Sequence, residues 1–419
     1  MNKNTLGILG LFILIFGFTW VSNENFINGY NMTNLVKWSS LYAIMGIGVA
    51  FVIITGGIDL SIGSVIGLIA SLLALAVKNQ WNPTLTVVLL LGLSLVIGLM
   101  HGLLITKVKL QPFVVTLCGL LFYRGISRWL TDNQTMQYPG TEGLDSFFSG
   151  KVYSFFSGKM LLVDLLAPLG VGMMVVGCIG VFVTFVILLI ANFRKSIGWG
   201  IASLLLDIPL LVFCILNYRE VKKPFLLHLW SGALVLLGFI FAAVGTTGEK
   251  FGLASPFFFL LVVAVVAAFF LNRTIWGRYL LALGNNEEGA RYSGIQTDRL
   301  KITAYVICSF LAGLSGLLFA YELDSVQPAQ TGEFYELYAI AAAVLGGCSL
   351  RGGQGAILGV IIAAAVIRLL RNSINLVGVS THLEFAIIGL VILGGVTADE
   401  IIKRIVAKRR TAQVKAAKG

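Results

Sequence analysis

Apolar runs of about 16–22 residues alternate along this chain with short polar links. About 20 residues at a rise of 1.5 Å cross the hydrocarbon core of a bilayer. In lipid every backbone N–H and C=O needs an internal partner, so such runs are helices. The pattern predicts spans at 6–22, 36–55, 58–77, 84–105, 112–130, 169–191, 226–245, 255–271, 301–321, 336–348, 354–371 and 384–402. The first run carries no small-residue cleavage site and reads as a retained span. The fold class expected is all-α: a polytopic transmembrane helix bundle of about 12 crossings with broken helices, in one domain covering 1–419.

A thirteenth apolar run covers 198–216 and has Asp207 and Pro209 in its middle. Basic residues flank it on both sides, as Arg194–Lys195 and Arg219, Lys222 and Lys223. Basic flanks favour the cytoplasm, so this run is expected to dip in and return or to lie at the interface. The loop 272–300 and the tail 403–419 are basic as well and are placed inside, which puts both termini in the cytoplasm. The long polar stretch 131–168 is then external; it repeats Ser-Phe-Phe-Ser-Gly-Lys at 146 and 154, as a hairpin or interfacial loop would.

Composition sharpens the membrane reading. Of 419 residues 58% are hydrophobic and 12% charged, against about 25% charged in soluble domains. The net charge of +11 is gathered at helix ends and in the tail, where seven Lys or Arg follow Glu400 with no acid. That distribution fits anchoring against membrane lipid rather than nucleic acid. Five cysteines stand at 118, 178, 214, 308 and 348 with no C-x-x-C, so neither a disulfide framework nor a metal site is indicated. His101, His228 and His382 are scattered. There is no G-x-x-x-x-G-K-[ST], hence no ATP site in this chain, and no catalytic cluster. Energy for active transport would have to enter from a partner.

Three stretches carry candidate chemistry. Thr55–Ser64 (TGGIDLSIGS) places Gly56, Gly57, Asp59, Ser61 and Ser64 at a break between two apolar runs. Asp59 is expected to cap the following span; an intramembrane acid is also a candidate for function. Thr274–Ile295 lies in the basic loop, with small residues close to helical spacing, and reads either as a helix that seats in a partner's groove or as a solvated linker. Glu336–Gly355 breaks two apolar segments with Gly346, Gly347, Gly352, Gly353 and Gly355. Broken helices at membrane depth mark transporter cores, although Gly355-x-x-x-Gly359 is equally a packing face. Arg351 between the halves needs a polar partner or the cytoplasmic surface.

These stretches together resemble the permease family of bacterial monosaccharide ABC importers, the group that includes the ribose, xylose and galactose permeases. The family's GGIDLS-G, GR-x-x-x-A-x-G-x-N and E-x-x-A-I-A-A…GG-x-S-x-x-GG-x-G patterns stand here at Gly56–Gly63, Gly277–Ile295 and Glu336–Gly355. Tyr321 and Gln327-Pro328 fit the external loop before that Glu. Extra apolar sequence between about 185 and 250 resembles the longer xylose or multiple-sugar permeases, while Gly289 replaces a usual alanine and Cys348 interrupts the Gly-Gly-Thr-Ser form.

The resemblance implies a permease subunit of an ATP-driven sugar importer in a bacterial inner membrane, xylose-type favoured. It implies a second permease (a homodimer), an external sugar-binding protein, and an ATPase subunit that holds ATP and Mg. Gly277, Arg278, Ala282, Gly284, Asn285, Ala290, Ser293, Gly294 and Ile295 become coupling-helix positions facing that ATPase, so a bulky residue at Gly284 is expected to uncouple transport without unfolding. Gly56, Gly57, Asp59, Ser61, Tyr321, Glu336, Gly346, Gly347, Gly352 and Gly353 become pathway or helix-break positions, with Tyr123 and Asn133 as further candidates at its mouths. A branched-chain amino acid ABC permease and an ion-coupled secondary transporter remain as alternatives; a membrane enzyme lacks a catalytic cluster.

Overall fold

The computed structural model describes residues 3–137, 255–323, 325–380 and 383–391, with a few isolated positions besides. The expected spans at 169–191 and 226–245, the run 198–216, the repeat at 146–159 and the tail 403–419 lie outside the described residues. By contacts the chain forms two units, 1–26 with 34–159 and 254–419, and 27–33 with 160–253. The helix packing and the candidate site both lie in the first of them.

The architecture is all-α. Among the described residues its helices include α1 (Lys3–Ser22), α2 (Gly29–Ile54), α3 (Ile62–Lys78), α4 (Pro83–Thr106), α5 (Pro112–Leu130), α6 (Ser255–Arg273), α7 (Ile275–Asn285), α8 (Glu287–Tyr292), α9 (Thr297–Glu322), α10 (Tyr335–Leu345) and α11 (Ile357–Val377). Among the described residues six are long and apolar enough to cross a membrane: α2, α4, α5, α6, α9 and α11. α11 runs six residues beyond the expected end at 371, because Gly378, at φ +78°, is the first residue that can turn the chain out of the helix. Proline at the first position starts α4 and α5, where its missing N–H costs nothing. Asn82 adds a cap to α4, its Oδ1 accepting from Leu85 N at 3.0 Å.

Close packing rests on small residues, as expected where lipid offers no hydrophobic drive between helices. α4 and α9 cross so tightly that a Cβ on Gly98 would stand 2.6 Å from the Tyr305 carbonyl oxygen, and one on Gly102 2.7 Å from Ile302 Cα. α3 and α5 share a Ser71–Ser127 hydroxyl contact of 2.7 Å. α1 is tied to α11 by Thr19 and Ser373 at 2.6 Å and by Asn23 Nδ2 donating to Leu376 O at 2.8 Å. Two short strands, β1 (Met136–Gln137) and β2 (Ser325–Val326), pair antiparallel and clasp the ends of α5 and α9. On α6, Leu261, Val262, Val265, Val266 and Phe269 are exposed, an apolar face suited to lipid or protein.

Candidate functional site

The three stretches that carry candidate chemistry meet at one point. The end of α2 leads into Thr55–Ser61, the end of α7 carries Gly284 and Asn285, and the link between α10 and α11 carries Gly352 and Gly353. Gly353 N donates to Ile54 O at 2.9 Å. Gly352 lies against Gly284, with its would-be Cβ 3.0 Å from Gly284 Cα and 3.1 Å from Gly56 N. Gly352 and Gly353 have φ of +85° and +73°, a region that side-chain-bearing residues rarely adopt. Asn285 Nδ2 donates to Leu281 O at 3.0 Å and reaches Gly353 O at 3.4 Å. The result is a junction of three backbones with almost no side chain between them.

This geometry corrects the orientation expected for the small residues of the loop. Gly277 and Gly284 face inward: a Cβ on Gly277 would overlap the Phe270 and Leu271 carbonyls, and one on Gly284 the Ile54 carbonyl and the Gly353 amide. The segment is also two helices, not one. Asn286 ends α7 and caps α8, its Oδ1 accepting from Gly289 N at 2.9 Å, while Thr274 caps α7 by accepting from Gly277 N at 3.1 Å. Ala290 is buried and Ile295 half-buried, whereas Arg278, Ala282, Asn285, Ser293 and Gly294 are exposed. Beside them Trp276, Tyr279 and Tyr292 are exposed, Tyr292 by 91%. Lys301 Nζ pairs with Glu287 at 2.6 Å and holds α8 on α9. Arg351 reaches the surface at the same end.

Above the junction the chain stays non-helical until Ile62, four residues later than the expected span start. Asp59 is not the cap of α3. Ser61 occupies the cap position, and Asp59 Oδ1 accepts from Ser61 N at 2.8 Å and Ser61 Oγ at 2.7 Å, closing a turn before the helix. Asp59 is fully buried. Around it lie Tyr305 and the Cys308 thiol of α9, and His101 of α4 with Tyr123 of α5, whose hydroxyl stands 2.9 Å from His101 Nε2. A Cβ on Gly57 would meet the Tyr305 hydroxyl at 2.5 Å.

α10 begins where α3 begins. A Cβ on Gly63 would overlap the Gly332 carbonyl and the Glu336 carboxylate, so the acid in the first turn of α10 sits at the first turn of α3. Both helix N-termini present a positive dipole end there, a favourable place for a carboxylate. Arg124 of α5 donates to the Pro328 and Thr331 carbonyls and fixes the loop that leads into α10. Tyr321 stands at the end of α9, half-buried, and Asn133 accepts from Arg128 Nε at 3.0 Å at the exposed end of α5. Gly346 packs on Gly359, whose would-be Cβ overlaps the Gly346 carbonyl, and Gly355 packs on Ile54 and Cys348. Gly347 turns the chain at φ +96°. Gly355-x-x-x-Gly359 is thus a packing face.

One set of polar residues escaped the sequence reading. Arg368 and Arg371, three apart within an otherwise apolar run, stand on α11 with the aromatic residues of α2 and α10. The signal was present, since two cations inside a spanning helix are costly unless they are used or paired. Among the described residues no cluster of three or more His, Cys, Asp or Glu could hold a metal ion.

The sequence pattern of the family described as branched-chain amino acid transport system / permease component matches residues 31–396. The chain is similar to the ribose import permease protein of Escherichia coli K12, with 29% identity over 94% of this chain and 92% of that one. It is similar to the xylose transport system permease protein of the same strain, at 28% over 95% and 91%. The ribose import permease protein of Bacillus subtilis 168 is 30% identical over 93% and 91%. No solved structure matches the chain.

Proposed function

Because the chain belongs to the family of branched-chain amino acid transport system permease components, we propose that it is the membrane-spanning subunit of an ATP-driven importer that carries a monosaccharide into the cytoplasm. The observation that carries this reading is the glycine junction, where an exposed two-helix loop is coupled by backbone contact to the breaks before α3 and between α10 and α11. Relatives named for ribose and for xylose, each similar over more than nine-tenths of the chain, favour a pentose or hexose over a branched-chain amino acid or an ion-coupled route.

In this reading the exposed side of α7 and α8, with Arg278, Ala282, Asn285, Tyr279 and Tyr292, receives a separate ATPase subunit, which holds ATP and Mg²⁺ and hydrolyses the nucleotide for the complex. An external binding protein delivers the sugar at the opposite end, and a second copy of this chain completes the pathway. The protein sits in a bacterial inner membrane as one multi-pass permease domain over 1–419. Both termini, the loop 272–300 and the tail 403–419 are cytoplasmic, and 131–168 is external. Gly56, Gly57, Asp59, Ser61, Glu336 and the glycines 346, 347, 352 and 353 belong to the moving breaks. Weak contact with the sugar suffices here, because tight ground-state binding would slow release.

The test is purification in mild detergent with identification of co-purifying chains, followed by ATPase assay and uptake of labelled D-ribose and D-xylose in vesicles. A bound ATPase, and uptake that stops on ATP depletion but survives an ionophore, is the expected result. A well-folded protein with no ATPase and with ionophore-sensitive uptake would sink the reading.

A further inference from the structure

We propose that Arg368, with Trp38, Tyr42, Tyr335 and Tyr338, forms a contact station for the transported sugar in the half of the membrane away from the coupling loop; this rests on the import reading above. Arg368 follows the first residue of α11 by eleven positions, about 16 Å at 1.5 Å per residue, which is well inside a hydrocarbon core of about 30 Å. An ionisable group at that depth faces protein or a water-filled path.

Its neighbours leave it incompletely satisfied. Arg371 pairs with Glu384 at 2.7 Å and Lys37 with Glu322 at 2.8 Å. Among the described residues no carboxylate forms an ion pair with Arg368. Its guanidinium instead stands 5.3 Å from the ring centre of Trp38 and 5.3 Å from that of Tyr42. Ring faces stabilise the charge but do not accept the in-plane N–H groups; the Tyr42 hydroxyl takes up part of the guanidinium's donor capacity, while Arg368 Nε is buried without a hydrogen-bond partner. A buried donor left open costs about 1–3 kcal/mol, so a ligand that supplies an acceptor is favoured there.

The cluster also borders a route for that ligand. α10 has 11 residues, about 16 Å of helix, and cannot span the membrane alone. Phe334 before it has φ +62°, so the short helix starts from irregular backbone. Such backbone persists only where protein covers it or water reaches it. Tyr335 and Tyr338, from the first turns of α10, lie 5.4 and 5.6 Å from Tyr42, ring centre to ring centre, and Tyr335 and Trp38 are only half-buried.

The chemistry matches a neutral polyhydroxylated ring. A monosaccharide offers C–H patches that lie on aromatic faces and hydroxyl oxygens that accept from a guanidinium fork. A neutral ligand suits a transit site, because a full ion pair in a low dielectric would hold too firmly to release.

The test uses the whole transporter, with its ATPase and binding protein, in proteoliposomes. ATP-driven uptake of labelled D-ribose and D-xylose is compared with that of their monodeoxy analogues at saturating loaded binding protein. A hydrogen bond to a charged group contributes about 1.5–3 kcal/mol. R368Q is therefore expected to lower maximal uptake of the parent sugar by about tenfold or more, while one deoxy analogue changes less than about twofold. R368K, which keeps the charge and loses the fork, is expected to fold normally and to lose the same discrimination. An equal loss for every sugar, or uptake unchanged in R368K with discrimination intact, would overturn the station and leave Arg368 as a packing staple between α2 and α11. Wild-type vesicles that take up no sugar with ATP would instead overturn the import reading itself.

Discussion

Replacing Gly284 by alanine adds one methyl group at the centre of the glycine junction. That methyl would overlap the Ile54 carbonyl oxygen and the Gly353 amide nitrogen and stand 2.9 Å from Gly353 Cα. All three are backbone atoms, so no rotamer change relieves the contact. Over-packing of this kind costs about 1–3 kcal/mol. Forcing Gly353 away from Ile54 also strains their 2.9 Å hydrogen bond, worth about 1 kcal/mol. The gain in helix propensity from Gly to Ala, about 1 kcal/mol at most, works the other way. The net expectation is a loss of about 1–3 kcal/mol, read as a lowered midpoint when the solubilised protein is heated and followed by gel filtration. Uptake per ATP hydrolysed should fall more steeply than stability, because the displaced contact joins the loop to both breaks. Gly125 on α5 has nothing within 4 Å of its would-be Cβ, so G125A is the matched control and should leave both readouts near wild type. If G284A melts with the wild type and transports at full efficiency, the junction does not join these segments as described.

Three further outcomes rest on the same geometry. D59A removes the acceptor of two Ser61 hydrogen bonds and should lower thermal stability by about 2–3 kcal/mol, while D59N keeps an oxygen acceptor and should recover at least half, as measured by thermal unfolding. G359A should push α10 from α11, since its methyl overlaps the Gly346 carbonyl; a lowered melting midpoint comparable to that of G284A is expected, and a wild-type midpoint would refute the contact. In a protein whose only cysteine is Cys348, 3% exposed, labelling by N-ethylmaleimide should be slow in the wild-type background. It should quicken at least several-fold with G284A, because Cys348 packs on Gly355 at the edge of the junction.

Hydropathy made most of the described helices legible, because each long apolar run in lipid has one way to satisfy its backbone. It misplaced the start of α3, since Ile58 and Leu60 are apolar while the chain there is tied down by Asp59 and by Gly56 at φ +81°. The glycines of the loop were legible as important and illegible in direction. Small residues at helical spacing look the same whether they face a partner or the chain's own Ile54 and Gly353. The meeting of Gly56, Gly284 and Gly352, more than 60 residues apart in every pairing, depends on tertiary contact that no local pattern encodes. Arg368 and Arg371 stand three apart in an apolar run, and no local pattern says whether such cations are paired or left open by the fold.

The junction also bears on how far a push can travel. Where helices meet through long side chains, a shift of an ångström is absorbed by rotamers hopping between wells. Between Ile54, Gly284 and Gly353 there are no rotamers to hop, only peptide planes that resist bending. A displacement of α7 therefore arrives at α2 and at the α10–α11 link undiminished and at the same moment, like motion through gears cut without backlash. The same lack of play means that a backbone shift at any one of the three segments forces the other two to follow or the contact to part.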